Sequence, residues 1–223
     1  MIKAILFDFD DTLINRRKAS YAMYKNILKD NTNHHPESIL FEAILQDMIT
    51  WDQYGNTNKN YVSDQLKKKY NIVLKIDDLN NYWETNFWEY TVVSDDAISV
   101  LQELKKKYKL GVITNGNKYG QFKKVEFSGL IDYFNCVVVS GDYDVHKPDK
   151  LLFDKSIEQL QIEPNEAIYV GDTFSNDIYG AINAGLIPVW IWPSSTRYCD
   201  YSVHRIFKLS ELPDLVEQIN NDL

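Results

Sequence analysis

The sequence predicts an α/β protein with a doubly wound parallel sheet, into which an all-helical segment is inserted. The apolar run from Ile2 to Phe7, interrupted only by Lys3, is typical of a strand buried on both faces of a parallel sheet. After Ser94, strand and helix patterns alternate regularly, which indicates parallel strands joined by helices. Between these parts, residues 15–92 carry helical patterns and no strong strand pattern. That segment is too long for a connecting loop.

The predicted domains are therefore a catalytic core of residues 1–14 and 93–223 and a helical cap of residues 15–92. Apolar residues recur at helical spacing in four parts of the cap, at 21–28, 39–48, 58–70 and 77–88. Pro36 followed by Glu37 predicts the start of the second helix, and Asp77 is the predicted cap of the fourth.

The predicted core strands after the cap are short and apolar: Leu110–Thr114, Cys136–Val139, Ala167–Gly171, Pro188–Trp192 and a short strand at Arg205–Phe207. The helices predicted around them cover 95–107, 118–127, 149–160, 174–184 and 211–220. This order predicts a sheet with helices on both faces.

Composition narrows the classes of partner. The net charge of −8 argues against a nucleic-acid polymer, because binding to its backbone depends on an excess of Lys and Arg. It does not argue against a small phosphorylated metabolite whose charge a metal ion offsets.

We expect no membrane association, since no apolar run is long enough to span a bilayer and the start of the chain does not resemble a signal peptide. Cys136 and Cys199 lack metal-site spacing. These two cysteines form no disulfide framework in the sequence, which fits a reducing cytoplasm. We expect a monomer or a weak homodimer.

Chemically active residues follow four of the predicted strands. The first strand ends in Asp8, Asp10, Asp11 and Thr12, and no requirement of strand stability explains three carboxylates within four residues. The later strands lead to further polar residues in chain order: Thr114 and Asn115, Lys147, and finally Asp172 and Asp177. Ligands of such sheets bind beyond the carboxyl ends of the strands, so we expect these residues to meet in one site.

Their chemistry indicates phosphoryl transfer. Asp8 and Asp172 are predicted to hold Mg²⁺, which prefers oxygen ligands. Asp8 is also a candidate nucleophile that would form an aspartyl-phosphate, and Asp10 is a candidate general acid and base. Thr114, Asn115 and Lys147 offer donors and positive charge to the phosphoryl oxygens.

Each segment alone has an ordinary structural explanation. Asp172 and Asp177 are typical of acids at a helix N-terminus, and Thr114-Asn-Gly116 is typical of a turn. Lys147 before Pro148 fits a solvated side chain. The occurrence of all four segments in order, each after a strand, favours the functional interpretation.

Four segments together resemble the motifs of the haloacid dehalogenase (HAD) superfamily: Asp8-Phe-Asp-Asp-Thr-Leu13, Val112-Ile-Thr-Asn-Gly116, Lys147-Pro-Asp-Lys-Leu-Leu-Phe153 and the stretch 171–185. The resemblance covers nearly the whole chain and implies a Rossmann-like core with a helical cap of the C1 type that opens and closes over the site. It implies that Asp8 is the nucleophile, that Asp10 is the acid/base and binds metal through its backbone carbonyl, and that Asp172 is a metal ligand. Asp177 would be a supporting acid, Thr114 would bind the phosphoryl group and Lys147 would be the motif lysine.

The resemblance implies a phosphatase branch, because the superfamily's dehalogenases and phosphonatases lack an acid at the position of Asp10. The expected activity is Mg²⁺-dependent hydrolysis of a phosphomonoester through an aspartyl-phosphate. Together with the first two motifs, the run Pro188-Val-Trp-Ile-Trp-Pro193 resembles pyrimidine nucleotidases of the YjjG type, so a nucleoside 5′-monophosphate is a candidate substrate. A sugar phosphomutase and a non-catalytic metabolite-binding protein remain alternatives.

Two features of the cap have alternative interpretations. Its aromatic residues, Trp51, Tyr54, Trp83, Phe87, Trp88 and Tyr90, fit either a base-stacking surface or the core of a small helical bundle, and we favour the core. Arg16, Arg17 and Lys18 fit either a contact to phosphate or leaving group or a solvated helix start.

Overall fold

The computed structural model describes residues 1–191 and 199–222. Trp192 and Pro193, which belong to the predicted strand and to the nucleotidase-like run, lie outside the described residues. Six strands occur within the described ranges: β1 (Ala4–Phe7), β2 (Lys109–Thr114), β3 (Cys136–Val139), β4 (Ala167–Gly171), β5 (Ile187–Ile191) and β6 (His204–Ile206).

The strands form one parallel sheet in the order β3-β2-β1-β4-β5-β6. β1 lies at its centre, where Phe7 is level with Val112 of β2 and with Val170 of β4. The chain order reverses at β1, because β2 and β3 extend to one side and β4 to β6 extend to the other. The predicted doubly wound α/β fold is confirmed.

Helices of the core cover both faces of this sheet. Their bounds are α5 (Ala97–Leu104), α6 (Lys118–Phe127), α7 (Lys150–Leu160), α8 (Tyr179–Ala184) and α9 (Leu212–Asp222); the numbers α1 to α4 belong to the helical unit described below. Alternate residues of β1 explain the two layers, because successive side chains of a strand point to opposite faces. Ile5 and Phe7 pack in one apolar cluster with residues of α5 and α9, whereas Ala4 and Leu6 pack in another with residues of α7 and α8.

The chain divides into two compact units, Met1–Asn15 with Val93–Leu223, and Arg16–Val92. This division differs from the predicted boundaries at Asn15. The second unit, here called the helical unit, contains α1 (Arg16–Asn31), α2 (Ile39–Asp52), α3 (Lys59–Tyr70) and α4 (Leu79–Asn86). It has its own apolar core, to which Tyr24, Phe41 and Leu66 contribute fully buried side chains.

Most of the cap aromatics belong to that core. Trp83 and Phe87 are buried and their rings stack at 4.4 Å, so the interpretation of these two residues as core is confirmed. Trp51 and Tyr90 pack partly buried against the same cluster. Tyr54 differs, because it is 64% exposed.

Two predicted helix starts are wrong. The helix α2 begins at Ile39 and not at Pro36, because its N-cap is Ser38, whose hydroxyl accepts a hydrogen bond from the Phe41 amide. The N-cap of α4 is Asp78, whose carboxylate accepts from the Asn81 amide, and not Asp77. In both cases the true N-cap lies one or two positions after the predicted start, and its side-chain oxygen accepts from an amide three residues later.

None of the described helices combines the length and the apolar character needed to cross a membrane. Both cysteines are free thiols. Burial raises the pKa of Cys136 to about 11, which makes its thiolate unfavourable.

Candidate active site

Asp8 stands directly after the central strand. Its amide donates to the Val170 carbonyl of β4 at 2.8 Å, so the parallel ladder continues one residue past the end of β1. The side chain is buried, with 6% of its residue surface exposed. The sheet therefore holds this carboxylate in place through its own backbone.

Lys147 is the centre of a buried polar network. Its ammonium group donates to Asp8 Oδ1 at 2.6 Å, to Asp177 Oδ1 at 2.7 Å and to the Tyr169 hydroxyl at 2.9 Å. Tyr169 in turn donates to the Ile113 carbonyl at 3.1 Å. Because an ammonium group has three protons to donate, these contacts satisfy Lys147 completely.

Asp177 is held on both sides. Its second oxygen, Oδ2, accepts from the Thr173 amide at 2.9 Å, while Oδ1 faces Lys147. The Phe174–Ile178 segment forms a π-helical turn instead of the start of the predicted regular helix, and Asp177 lies within it. Gly171 allows the close approach, since a Cβ at that position would overlap the Asp177 carboxylate.

Asp172 is the third acid of the site. Its Oδ1 accepts from the Thr173 hydroxyl at 3.1 Å, and its backbone carbonyl accepts from the Trp190 indole at 2.8 Å. Burial, then the Asp177 and Asp11 carboxylates, raise the pKa of Asp172 to about 7.

Three carboxylates form a candidate metal site. Asp8, Asp172 and Asp177 each place one oxygen so that all three oxygens lie within 4.8 Å of one another. These acids bring three negative charges against the single positive charge of Lys147, which leaves a formal excess of two. An oxygen-rich site with this charge fits a divalent hard cation such as Mg²⁺.

The pKa shifts have the same origin as the charge excess. Burial, together with the Asp177 and Asp172 carboxylates, raises the pKa of Asp8 well above its ordinary value, and Lys147 offsets this only in part. Burial alone would lower the pKa of Lys147, but Asp177 and Asp8 outweigh it and raise that pKa, so the lysine stays a cation. A bound cation would relieve the repulsion among the acids.

Asp10 does not take part in this cluster through its carboxylate. Within the described residues, its Oδ2 accepts from Gln121 Nε2 at 3.0 Å and pairs with the Lys124 ammonium, both of which are buried on α6. The family resemblance implies that a metal contact of Asp10 would use its backbone carbonyl. The carboxylate is instead held by a helix that follows the second motif.

Thr114 and Asn115 lie at the end of β2, next to β1 in the sheet. Thr114 is buried. The Asn115 side chain bonds to the backbone of Lys147 twice, accepting from its amide at 2.8 Å and donating to its carbonyl at 3.3 Å. In this arrangement Asn115 positions Lys147, whereas the sequence suggested a direct donor to substrate.

Three polar residues of the site escaped the sequence reasoning. Tyr169 lies within an apolar strand. A tyrosine hydroxyl in such a buried run requires a hydrogen-bond partner, and this requirement was the feature that could have identified it. Gln121 and Lys124 are three residues apart, a spacing that puts them on one face of a helix. The helix that carries this face follows directly after Thr114-Asn-Gly116, and this position in the sequence could have indicated that the face lies near the site.

Known proteins are similar to this chain in sequence and in fold. A family model described as haloacid dehalogenase-like hydrolase matches residues 5–191. The chain is 30% identical to glyceraldehyde 3-phosphate phosphatase of Pyrococcus furiosus. The alignment is 227 residues long with its gaps and covers 99% of this chain and 94% of the relative. Over 96 residues, or 43% of each chain, it is 41% identical to pyrimidine 5′-nucleotidase YjjG of Escherichia coli.

A solved structure gives the same picture. The HAD phosphatase from Thermococcus onnurineus superposes with a TM-score of 0.69 and 28% identity, covering 96% of this chain and 98% of the other. The family model spans most of the chain, and the fold agrees with it. This chain belongs to the haloacid dehalogenase-like hydrolase family and is an enzyme.

Proposed function

We propose that the enzyme is a Mg²⁺-dependent phosphomonoester hydrolase that acts through an aspartyl-phosphate on Asp8. The observation that carries this proposal is the position of Asp8 at the end of the central strand, where Lys147 and two further carboxylates surround it. The proposed nucleophile, the lysine cation and the proposed metal ligands therefore lie together in one buried region. The helical unit is proposed to act as the cap.

In the first step, a carboxylate oxygen of Asp8 attacks the phosphorus of the substrate. The bond between phosphorus and the leaving oxygen breaks, and Asp10 gives its proton to that oxygen. Lys147 keeps Asp8 in place and stabilises negative charge on the transferring group, while Thr114 offers its hydroxyl to a phosphoryl oxygen.

In the second step, water attacks the phosphorus of the aspartyl-phosphate. Asp10, now a carboxylate, accepts a proton from this water, and the bond between phosphorus and the Asp8 oxygen breaks. Inorganic phosphate leaves, and Asp8 and Asp10 return to their starting states. Gln121 and Lys124 keep the Asp10 carboxylate oriented through both steps.

Asp8 and Asp172 would hold Mg²⁺, with the backbone carbonyl of Asp10 as the proposed third protein ligand and Asp177 as supporting acid. When bound, Mg²⁺ offsets the repulsion between the Asp8 carboxylate and a phosphate group. The formal charge excess of two in the cluster supports this assignment.

The proposed substrate is a small phosphorylated metabolite. The named relatives act on glyceraldehyde 3-phosphate and on pyrimidine nucleotides, which support a triose or sugar phosphate and a nucleoside 5′-monophosphate as candidates. The first relative aligns along almost the whole chain and the second along less than half of it.

A substrate screen with Mg²⁺ tests the proposal. Nucleoside monophosphates, triose and sugar phosphates and a simple aryl phosphate are incubated with the enzyme, and released phosphate is measured. We expect turnover that EDTA abolishes and Mg²⁺ restores. Turnover that EDTA leaves unchanged would overturn the metal assignment, and the absence of phosphate release from every substrate would overturn the proposed activity.

A further inference from the structure

Ser140, the first residue after β3, is a fully buried serine beside the end of β2. In the parallel sheet Thr114, the last residue of β2, is level with Val139, the last residue of β3. The two stretches of chain that leave these strands therefore begin side by side. The stretch after β2, residues 115–117, is here called the β2 loop, and the stretch after β3, residues 140–147, is called the β3 loop.

The backbones of the two loops are in direct contact. The Gly141 amide donates to the Gly116 carbonyl at 3.1 Å. A Cβ at Gly141 would lie 2.8 Å from that carbonyl oxygen and 2.8 Å from the Lys118 amide nitrogen, so a larger residue would push the loops apart. Glycine at this position permits the close approach, which brings the neighbouring Ser140 hydroxyl within reach of the β2 loop.

The Ser140 hydroxyl bonds to the β2 loop and to the far end of its own loop. It accepts from the Gly116 amide at 3.0 Å and lies 3.3 Å from the Gly116 carbonyl oxygen. It also lies 3.0 Å from Nδ1 of His146, the residue before Lys147.

These contacts persist in both forms of the His146 ring nitrogen, because a hydroxyl group has one proton and two lone pairs. When Nδ1 has no proton, the Ser140 hydroxyl donates to it. When Nδ1 has a proton, the hydroxyl accepts from it and donates to the Gly116 carbonyl. In each case Ser140 connects the β2 loop with the end of the β3 loop.

A second side chain connects the same two places. Asn115 accepts from the Lys147 amide at 2.8 Å and donates to the Lys147 carbonyl at 3.3 Å. Asn115 is half-buried, whereas Ser140 is 0% exposed. Water can therefore replace a lost contact of Asn115 more easily than one of Ser140, and the contacts of a buried polar group are the more costly to remove.

We propose that Ser140 is a positioning residue that holds the β2 loop and the end of the β3 loop in one arrangement, so that Thr114 and Lys147 meet the same phosphoryl group. In this role the hydroxyl acts through Gly116 and His146 and not through contact with substrate. The kinetic consequence rests on the proposed hydrolase function, whereas the coupling of the two loops does not.

The first experiment measures the coupling without turnover. Amide hydrogen exchange of the intact protein is followed by NMR in the wild type and in Ser140→Ala. We expect exchange about tenfold faster at the Gly116 amide, which loses its acceptor, and about threefold or more faster at the Lys147 amide. The Lys147 amide decides the question, because its own acceptor, Asn115 Oδ1, is present in both proteins.

Ser156→Ala is the matched control. Ser156 is also 0% exposed, and its hydroxyl donates to the Leu152 carbonyl at 3.2 Å within α7. The same atom is thus removed from comparable surroundings outside the two loops. This variant should change exchange at the Gly116 and Lys147 amides by less than about twofold.

The second experiment compares the hydrolysis of a simple aryl phosphate in the same variants. A displaced Lys147 should stabilise the charge on the transferring group less well, so Ser140→Ala should lower kcat about tenfold and change KM less than about threefold. His146→Ala, at an exposed side chain, should reproduce part of the loss of kcat. Ser156→Ala should keep kcat within about twofold of the wild type.

The two experiments separate this proposal from the proposed function. Absence of hydrolysis by the wild type would refute the hydrolase function, and the exchange rates would still decide the coupling. Unchanged exchange at the Lys147 amide in Ser140→Ala would overturn the proposal. In an active enzyme, equal kcat values for Ser140→Ala and Ser156→Ala would overturn it as well.

Discussion

Lys124 is the residue whose position in the site was least expected. It is buried, and it pairs with the Asp10 carboxylate together with Gln121. Burial of a lysine costs desolvation energy, and the ion pair with Asp10 offsets part of that cost. The arrangement makes Lys124 a positioning residue for the proposed acid/base.

Replacing Lys124 tests this role. Lys124→Met should lower kcat by about tenfold to a hundredfold and change KM less. This loss is a part of the rate enhancement that general acid–base catalysis provides, because Asp10 remains but is less well oriented. Lys124→Arg should recover part of the rate. The neighbouring Lys123→Met is the control, because Lys123 is only partly buried and its described ion pair is with Glu126, outside the site. Equal rates for Lys124→Met and Lys123→Met, in variants that unfold at the wild-type temperature, would refute the role.

Asp172 links metal binding to pH. Its pKa is raised to about 7 by burial and by the neighbouring acids, so a proton competes with a cation for this carboxylate. The proton is lost as pH rises through that pKa, and the affinity for Mg²⁺ should therefore increase between about pH 6 and about pH 8. Calorimetric titration of Mg²⁺ at several pH values measures this dependence. An affinity that stays constant across the range would show that Asp172 does not bind the metal.

Among the structural elements, α1 to α3 of the helical unit depend on one buried acid. Asp52 at the end of α2 binds Arg16 of α1 and Lys59 of α3, so a single carboxylate connects three helices. Burial opposes its ionisation, but Arg16 and Lys59 outweigh burial and lower the pKa of Asp52.

Removal of this charge should destabilise the unit strongly. Asp52→Asn removes the carboxylate charge that two buried cations contact and should cost about 3 kcal/mol of unfolding free energy. Asp64→Asn, on the exposed side of α3, removes the same charge and should cost less than about 0.5 kcal/mol. Urea unfolding followed by tryptophan fluorescence measures both. Similar values for the two variants would refute the importance of the cluster.

The direction of the pH effect follows from the lowered pKa. A carboxyl group whose pKa is lower in the folded state contributes stability above its unfolded pKa and loses it as pH falls through the folded pKa. The difference between wild type and Asp52→Asn should therefore shrink below about pH 4.

These elements also show what the sequence could predict. The strands β1 to β4 could be predicted from short apolar runs, because strands of a parallel sheet are buried on both faces. Each of these runs is followed by one of the motifs. The starts of α2 and α4 could not be predicted to the residue. A proline two positions before Ser38 suggested an earlier start for α2, and the neighbouring acids Asp77 and Asp78 are equally suited to cap α4.

For the molecule as a whole, the motif residues could be grouped because strand ends meet at one edge of a parallel sheet. That rule brought together Asp8, Lys147, Asp172 and Asp177, which the structure places in one network or cluster. It gave no information on Tyr169, Gln121 or Lys124, since their roles depend on which helix face or strand face turns toward the site. The expectation of a monomer or weak homodimer stays a prediction. Sedimentation equilibrium, which measures the molecular mass in solution, can test it.

The carboxylates of the candidate metal site come from segments that are far apart in the chain, so a bound cation should stabilise the entire core. Mg²⁺ at about a hundredfold above its Kd would add about 2.7 kcal/mol to the unfolding free energy. Thermal unfolding should therefore shift upward with Mg²⁺ in the wild type and much less in Asp172→Ala. A shift of equal size in both would place the stabilising ion elsewhere.

The central claim is that Asp8 receives the phosphoryl group, and trapping the intermediate tests it most directly. The enzyme is mixed with Mg²⁺ and a substrate that it turns over, quenched in acid within the first turnovers, digested and examined by peptide mass spectrometry. We predict a phosphoryl group on the peptide that contains Asp8, absent in Asp8→Asn, which should also have lost turnover. Rapid hydrolysis by Asp8→Asn, or a phosphoryl group on another residue of the wild type, would contradict the mechanism.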